Sequence, residues 1–132
     1  RPVNFIDLRG GRSNETWQPF GVKVEDTAGV GPPEQRIQEQ DVDGLHSEVL
    51  FPNMVMGPRL WITMADKEAY RAAVRAYNDW LGEEYCLVSR DRLIGMGVIP
   101  WTTLDDAVAE RHHCAGRGLK GVTLGVCPSG KS

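Results

Sequence analysis

The stretch whose residue types most suggest chemistry is Gly125-Val126-Cys127-Pro128-Ser129-Gly130-Lys131-Ser132, which fits the pattern G-x-x-x-x-G-K-[ST]. In a phosphate loop of that form, backbone N–H groups and the lysine cradle a nucleotide's phosphates, and the hydroxyl meets Mg²⁺. The chemistry also needs a helix after the serine, whose positive end holds the anion. Ser132 is the last residue, so the sequence displays no such helix. Neither Phe51-Pro52 nor Ile99-Pro100 ends a strand on the aspartate that would hold Mg²⁺ through water. In a chain with 15 glycines, chance explains the match better than function does. A nucleotide-binding module using Gly125–Ser132 stands as an alternative reading.

The other reactive side chains assemble poorly. His112, His113 and Cys114 are consecutive, so on a helix each points about 100° from the next and they cannot easily share a metal. They read instead as a polar helix end, where imidazoles suit the negative dipole. His46 opens a strand, the end opposite to where α/β sites form, and reads as structural. Asp41, Asp43, Asp105 and Asp106 fall near helix ends, where capping and solvation account for them, and Glu83-Glu84 read as surface. Cys86, Cys114 and Cys127 are odd in number and widely spaced, which makes neither a disulfide framework nor a zinc knuckle. A reducing cytoplasm is the compartment they suggest. No Ser-His-Asp set, nucleophile elbow or C-x-x-C is present. The residues alone therefore assign no catalytic group and no metal ligand.

The elements that would position any site are clearer. Residues 1–32 have no sustained period and are punctuated by Gly10-Gly11, Pro19, Gly21, Gly29, Gly31 and Pro32-Pro33, as a loop-rich segment would be. Pro33 or Glu34 starts a short helix that runs to about Val42 and stops at Gly44. Ser47–Phe51 is a short strand, and Met54-Val55-Met56 a brief apolar patch after it. From Asp66 to about Leu87, Tyr70, Ala73, Val74, Tyr77, Trp80, Leu81 and Tyr85 recur at threes and fours, one stripe of an amphipathic helix. Arg71, Arg75, Asp79 and Glu83 lie on its other faces. Leu93–Ile99 is an uninterrupted apolar run, as in a parallel strand buried on both faces. Thr102 or Thr103 caps a second long helix with Asp105 and Asp106 in its first turn. Leu104, Ala107, Val108 and Ala115 are expected to bury its inner face. Gly116 and Gly118 end it, and Lys120–Val126 is a third strand.

Strand, helix, strand, helix, strand is an α/β unit, βαβαβ, with parallel pairing and crossover helices. Periodicity does not separate a barrel arc from an open doubly wound sheet. In either, ligands bind beyond the carboxyl ends of the strands. That rule singles out Asn53, Trp101 and Cys127 as candidate pocket-lining residues, one after each strand.

With 132 residues the chain is one domain in size, and its apolar (41%) and charged (25%) shares are those of a globular protein. No window approaches the roughly 18 apolar residues of a membrane span. The net charge of −3, with scattered Lys and Arg, leaves no footprint for nucleic acid.

Four stretches, in order, give the chain a resemblance to the amidohydrolase-related (amidohydrolase 2) family of metal-dependent hydrolases and decarboxylases. Asp41-Val42-Asp43-Gly44-Leu45 leading into Glu48–Pro52 resembles that family's second strand and its lead-in helix. Tyr77-Asn78-Asp79-Trp80-Leu81 with Tyr85-Cys86 resembles its long second helix. Asp91–Gly95, ending at Ile99-Pro100, resembles its third strand, and Gly118–Val122 the start of its fourth. The resemblance implies a TIM barrel, (β/α)8, of which this chain is an interior fragment covering the second to fourth strands. Residues 1–32 would then follow the missing first strand, and 33–132 form the partial barrel domain. Family members carry His-x-His or Glu-x-His on the first strand and a further His and Asp on later strands. None of the three histidines here falls at a matching ligand position.

The function this implies is a fragment of a metal-dependent amidohydrolase-like hydrolase or nonoxidative decarboxylase, which supplies scaffold and pocket lining without metal ligands. A divalent metal such as zinc is expected for the intact enzyme, with a small-molecule substrate. Three barrel strands leave open edges and an apolar face, so self-association or pairing with a complementary fragment is expected. A non-enzymatic interaction protein that reuses part of a barrel is the third reading.

Overall fold

The computed structural model describes residues 31–53 and 61–124. The chain divides into two compact units, Arg1–His46 and Ser47–Ser132. In the first lies helix α1, Pro33–Asp43. Proline occupies its first turn beside Glu34, as the sequence predicts, and Gly44 ends it at φ 71°. That left-handed residue lets the N–H of Leu45 reach back to the Gln40 carbonyl at 2.8 Å.

The second unit is built on a parallel sheet in the order β1 (Glu48–Leu50), β2 (Leu93–Val98), β3 (Gly121–Thr123). Both connections carry a helix, α2 (Lys67–Trp80) and α3 (Leu104–Gly116). The α/β reading, with three parallel strands and two crossover helices, therefore holds. Glu48, Val49 and Leu50 are in register with Leu93, Ile94 and Gly95, while Met96, Gly97 and Val98 are in register with Gly121, Val122 and Thr123. The outer strands are shorter than the predicted spans Ser47–Phe51 and Lys120–Val126. Gly125 to Ser132, the Met54–Met56 patch and the loop-rich residues 1–30 lie outside the described residues.

The central strand carries no side chain at two positions on its helix-facing side. A Cβ on Gly95 would sit 2.9 Å from Cys86 Sγ and 2.8 Å from Leu119 Cδ2. One on Gly97 would sit 2.7 Å from Cys114 Sγ and 3.1 Å from Leu119 Cδ1. These glycines let the helical layer approach the β2 backbone closely.

Asp66 caps α2, its carboxylate accepting from the N–H groups of Glu68 (2.8 Å) and Ala69 (3.2 Å). The face turned to the core is Tyr70, Val74, Asn78 and Leu81. Tyr70, Val74 and Val98 form one buried cluster, with Trp61, Ile62, Met64 and Tyr77 packed against it. Two details depart from the predicted stripe. Trp80 is exposed, stacked between Tyr77 and Tyr85 on the helix flank, and the polar Asn78 takes a fully buried place. The predicted single helix to Leu87 also changes geometry, to a π turn at Leu81–Tyr85 and a 3₁₀ turn at Cys86–Val88. In an α-helix, Leu81 and Cys86 would point about 140° apart; the wider turn lets both be buried.

Thr103 caps α3, accepting from the Asp106 N–H at 3.0 Å. Of the expected buried face of this helix only Ala107 is even half-buried. Leu104 is 79% exposed, and Val108 and Ala115 are exposed too. Glu110 and Cys114 are the buried positions. Partner groups rather than apolarity select this face: the acids at 106 and 110 meet the α2 arginines at 71 and 75. After the helix, Gly118 at φ 82° turns the chain into Leu119, which is buried against the β2 glycines.

Candidate functional site

Two places in the second unit are candidates: the edge of the sheet beyond the carboxyl ends of the strands, where α/β ligands bind, and the polar seam between α2 and α3. β1 and β2 are parallel neighbours, so the loops that follow them leave the same edge of the sheet. Asn53 and Trp101, each three residues past its strand, are thereby placed along one rim, both exposed. Trp101 donates its backbone N–H to the Tyr70 hydroxyl at 3.1 Å. Cys127, the third candidate, lies outside the described residues.

The seam is a continuous set of charged contacts. At its buried end the Asn78 amide donates to the Val98 carbonyl and to Glu110 Oε1, each at 2.8 Å, and its oxygen accepts from the Val98 N–H at 2.8 Å. Glu110, only 4% exposed, is gripped by Arg75 through Nε and Nη2, both at 2.7 Å. Farther out, Arg75 Nη1 meets His113 Nδ1 at 3.1 Å, and His113 Nε2 meets Asp79 Oδ1 at 2.6 Å. Arg117 Nε donates to the same Asp79 oxygen at 2.9 Å, and Arg117 also pairs with Glu83. Near the rim, Arg71 reaches Asp106 at 3.3 Å, and Thr102 donates its hydroxyl to the same carboxylate oxygen.

His113 thus lies between the Arg75 guanidinium and the Asp79 carboxylate, with Arg117 Nε 3.4 Å from its Nε2. Burial pushes the Asp79 carboxyl up. The hydrogen bond from His113 and the charges of His113 and Arg117 outweigh it and hold the group below the usual carboxylate range. Asp106 is also held low, first by the hydroxyl of Thr102 and then by that of Thr103. Burial, with the nearby Glu110 carboxylate, pushes the Cys114 thiol up to about 11, and burial likewise raises Cys86.

These partners define what the seam can do. His113 is committed to Asp79 and Arg75, and a thiol held protonated at neutral pH is a poor metal ligand and a poor nucleophile. Among the described residues no three His, Cys, Asp or Glu side chains converge to hold a metal ion. A cleft of about 300 Å³ opens between the helices, lined by Arg71, Arg75, Pro100, Asp106 and Glu110 with Ala72 and Ala109. Its two arginines are matched by the two acids that line it. The seam is thus an interhelical brace. Hydrophobic periodicity puts Arg71, Arg75 and Asp79 on outer faces and His113 at a polar helix end, without joining them. The signal was the shared spacing of four: 71, 75, 79 on one helix and 106, 110 on the other.

Among the described residues no helix is long and apolar enough to cross a membrane. No protein-family profile matches the chain, and no curated protein does. Solved structures do share its fold. The crystal structure of 2,6-dihydroxybenzoate decarboxylase from Rhizobium superposes with a TM-score of 0.56 at 24% identity, covering 66% of this chain and 26% of that one. A 2,6-dihydroxybenzoate decarboxylase complexed with 2,6-dihydroxybenzoate gives a TM-score of 0.55 at 22% identity, with the same coverage. The chain therefore spans about a quarter of the length of these decarboxylases and is similar to them in fold.

Proposed function

We propose that the chain forms an arc of a (β/α)8 barrel in an amidohydrolase-like, metal-dependent enzyme, a nonoxidative decarboxylase or a hydrolase. The observation that carries the reading is the parallel β1-β2-β3 unit with its crossover helices, matched in fold to decarboxylases in which the corresponding part is 26% of the chain. The ordered resemblance of the sequence to the amidohydrolase-related family supports the same reading independently. In it, Asn53, Trp101 and Cys127 lie along the pocket rim, and the chain contributes wall and rim.

The divalent metal of such an enzyme, zinc for example, would activate water or orient a substrate carboxylate. The described residues do not fit it, since no triad of ligands converges among them. In this reading its ligands belong elsewhere in the enzyme. A further partner follows from the sheet. Val49, Phe51 and Leu124 are exposed, and parallel sheets are normally covered on both faces. A complementary part of the same barrel, or another copy of the chain, would cover them. A monodisperse, compact monomer in small-angle scattering counts against that expectation.

The deciding experiment follows CO₂ release from 2,6-dihydroxybenzoate and related hydroxybenzoates, and hydrolysis of simple amides, by the product of the full reading frame. Turnover that stops on chelation and returns with zinc supports the proposal. No turnover on either class, together with micromolar ATP or GTP binding lost in Lys131→Ala, would replace it with the nucleotide-binding reading.

A further inference from the structure

We propose that Asn78 and Tyr70 are positioning residues, through which α2 sets the carboxyl end of β2 and the Pro100–Trp101 loop. The inference rests on the reading of that rim as the edge of a substrate pocket, and it names what holds the rim in place.

The argument starts from strand geometry. Successive residues of a parallel strand turn their N–H and C=O groups to alternate neighbours. Arg92 accepts from Glu48 on the β1 side, and Gly95 accepts from Lys120 on the β3 side. By that alternation Val98 turns its pair toward β1. The β1 ladder has already ended, at Leu50 opposite Gly95. Asn78 fills the gap, its primary amide supplying at 2.8 Å both the acceptor and the donor that a neighbouring strand would have offered Val98.

Glu110 fixes which way that amide points. A carboxylate accepts only, so the NH₂ group must face Glu110 and the Val98 carbonyl, and the oxygen must face the Val98 N–H. A leucine at 78 would fill similar space, yet it would leave two backbone groups unpaired at a site with no exposure. About two helical turns earlier, Tyr70 holds the Trp101 N–H. Two side chains of one helix thus hold the strand end at Val98 and the backbone of the rim tryptophan, on either side of Ile99-Pro100.

The test uses the full chain carrying 5-fluorotryptophan, its four resonances (Trp17, Trp61, Trp80, Trp101) assigned by single Trp→Phe changes. Asn78→Leu is expected to speed amide exchange at Val98 about tenfold or more and to move the Trp101 fluorine resonance while Trp80 stays in place. Tyr70→Phe is expected to move Trp101 and speed exchange at its amide by a similar factor. Leu93→Ala, equally buried at the opposite end of β2, is the control for general loosening and should leave Trp101 unmoved. Should Asn78→Leu fail to fold, Tyr70→Phe, which loses one hydroxyl, decides. An unmoved Trp101 in Tyr70→Phe, or an equal shift in Leu93→Ala, overturns the proposal. The readout needs no substrate, so its failure is distinct from failure of the enzyme reading.

Discussion

Replacing Glu110 by alanine removes the α3 acceptor that holds two side chains of α2, one of which, Asn78, also carries the end of the central strand. Its carboxylate receives two bonds from Arg75 and one from Asn78, at 2.7 to 2.8 Å, with its side chain 5% exposed. Breaking a fully buried ion pair costs about 3–5 kcal/mol, mainly because a charge is left without compensation. Here the Arg75 side chain is 44% exposed, so it hydrates and recovers much of that. Asn78 cannot reach water and loses one acceptor, about 1–2 kcal/mol. We expect a net loss of about 2–3 kcal/mol, which for a domain near 100 residues lowers Tm by about 10–20 °C. Glu110→Gln keeps the shape and one acceptor, and should lose about 1 kcal/mol. Urea denaturation followed by circular dichroism measures both. An alanine variant within about 0.5 kcal/mol of the parent, the range of ordinary surface changes, would refute the reasoning.

Further expectations follow from the same contacts. Gly97→Ala puts a Cβ 2.7 Å from Cys114 Sγ and should lose about 1–3 kcal/mol; adding Cys114→Ala should restore part of it, as urea midpoints would show. In a Cys127→Ser background, native protein near pH 8 should react with a disulfide reagent only as fast as it opens. The Cys114 thiol, at about 11, is then ionised to only about one part in a thousand, and stoichiometric labelling within seconds would contradict this. Asp79 is depressed below 3.8 on folding, so its contribution is present above that value and lost as pH falls through the folded pKa. It is a third exposed, so the amount is under about 1 kcal/mol. Asp79→Asn should flatten that part of the acid limb in urea midpoints taken from about pH 5 downward.

Much of the fold was legible because hydrophobicity alone encodes it. The unbroken run at Leu93–Ile99 reads as a parallel strand buried on both faces, and the threes and fours of Tyr70, Val74, Tyr77 and Leu81 read as one helix. The inner face of α3 was not legible by that means. Leu104 and Val108 look like core, yet the buried places went to Glu110 and Cys114. A carboxylate can be buried only where donors await it, and those donors, Arg75 and Asn78, come from more than thirty residues away. The same holds for the candidate site. The strand-end rule marked Asn53 and Trp101, but nothing local reveals that Asn78 substitutes for a strand or that His113 bridges two helices. Pairings of this kind belong to tertiary geometry, which a one-dimensional period cannot carry.

The π turn at Leu81–Tyr85 has a consequence for how this chain is compared with others. Such a turn carries one residue more than an α-helix uses over the same rise. A relative with an uninterrupted α-helix here should align with a one-residue gap inside Leu81–Tyr85. An ungapped alignment would pair either Asn78 or Cys86 with the wrong position, although both face β2 in the folded chain. At identities near 24%, that slip suffices to hide the one polar residue on the helix's buried stripe.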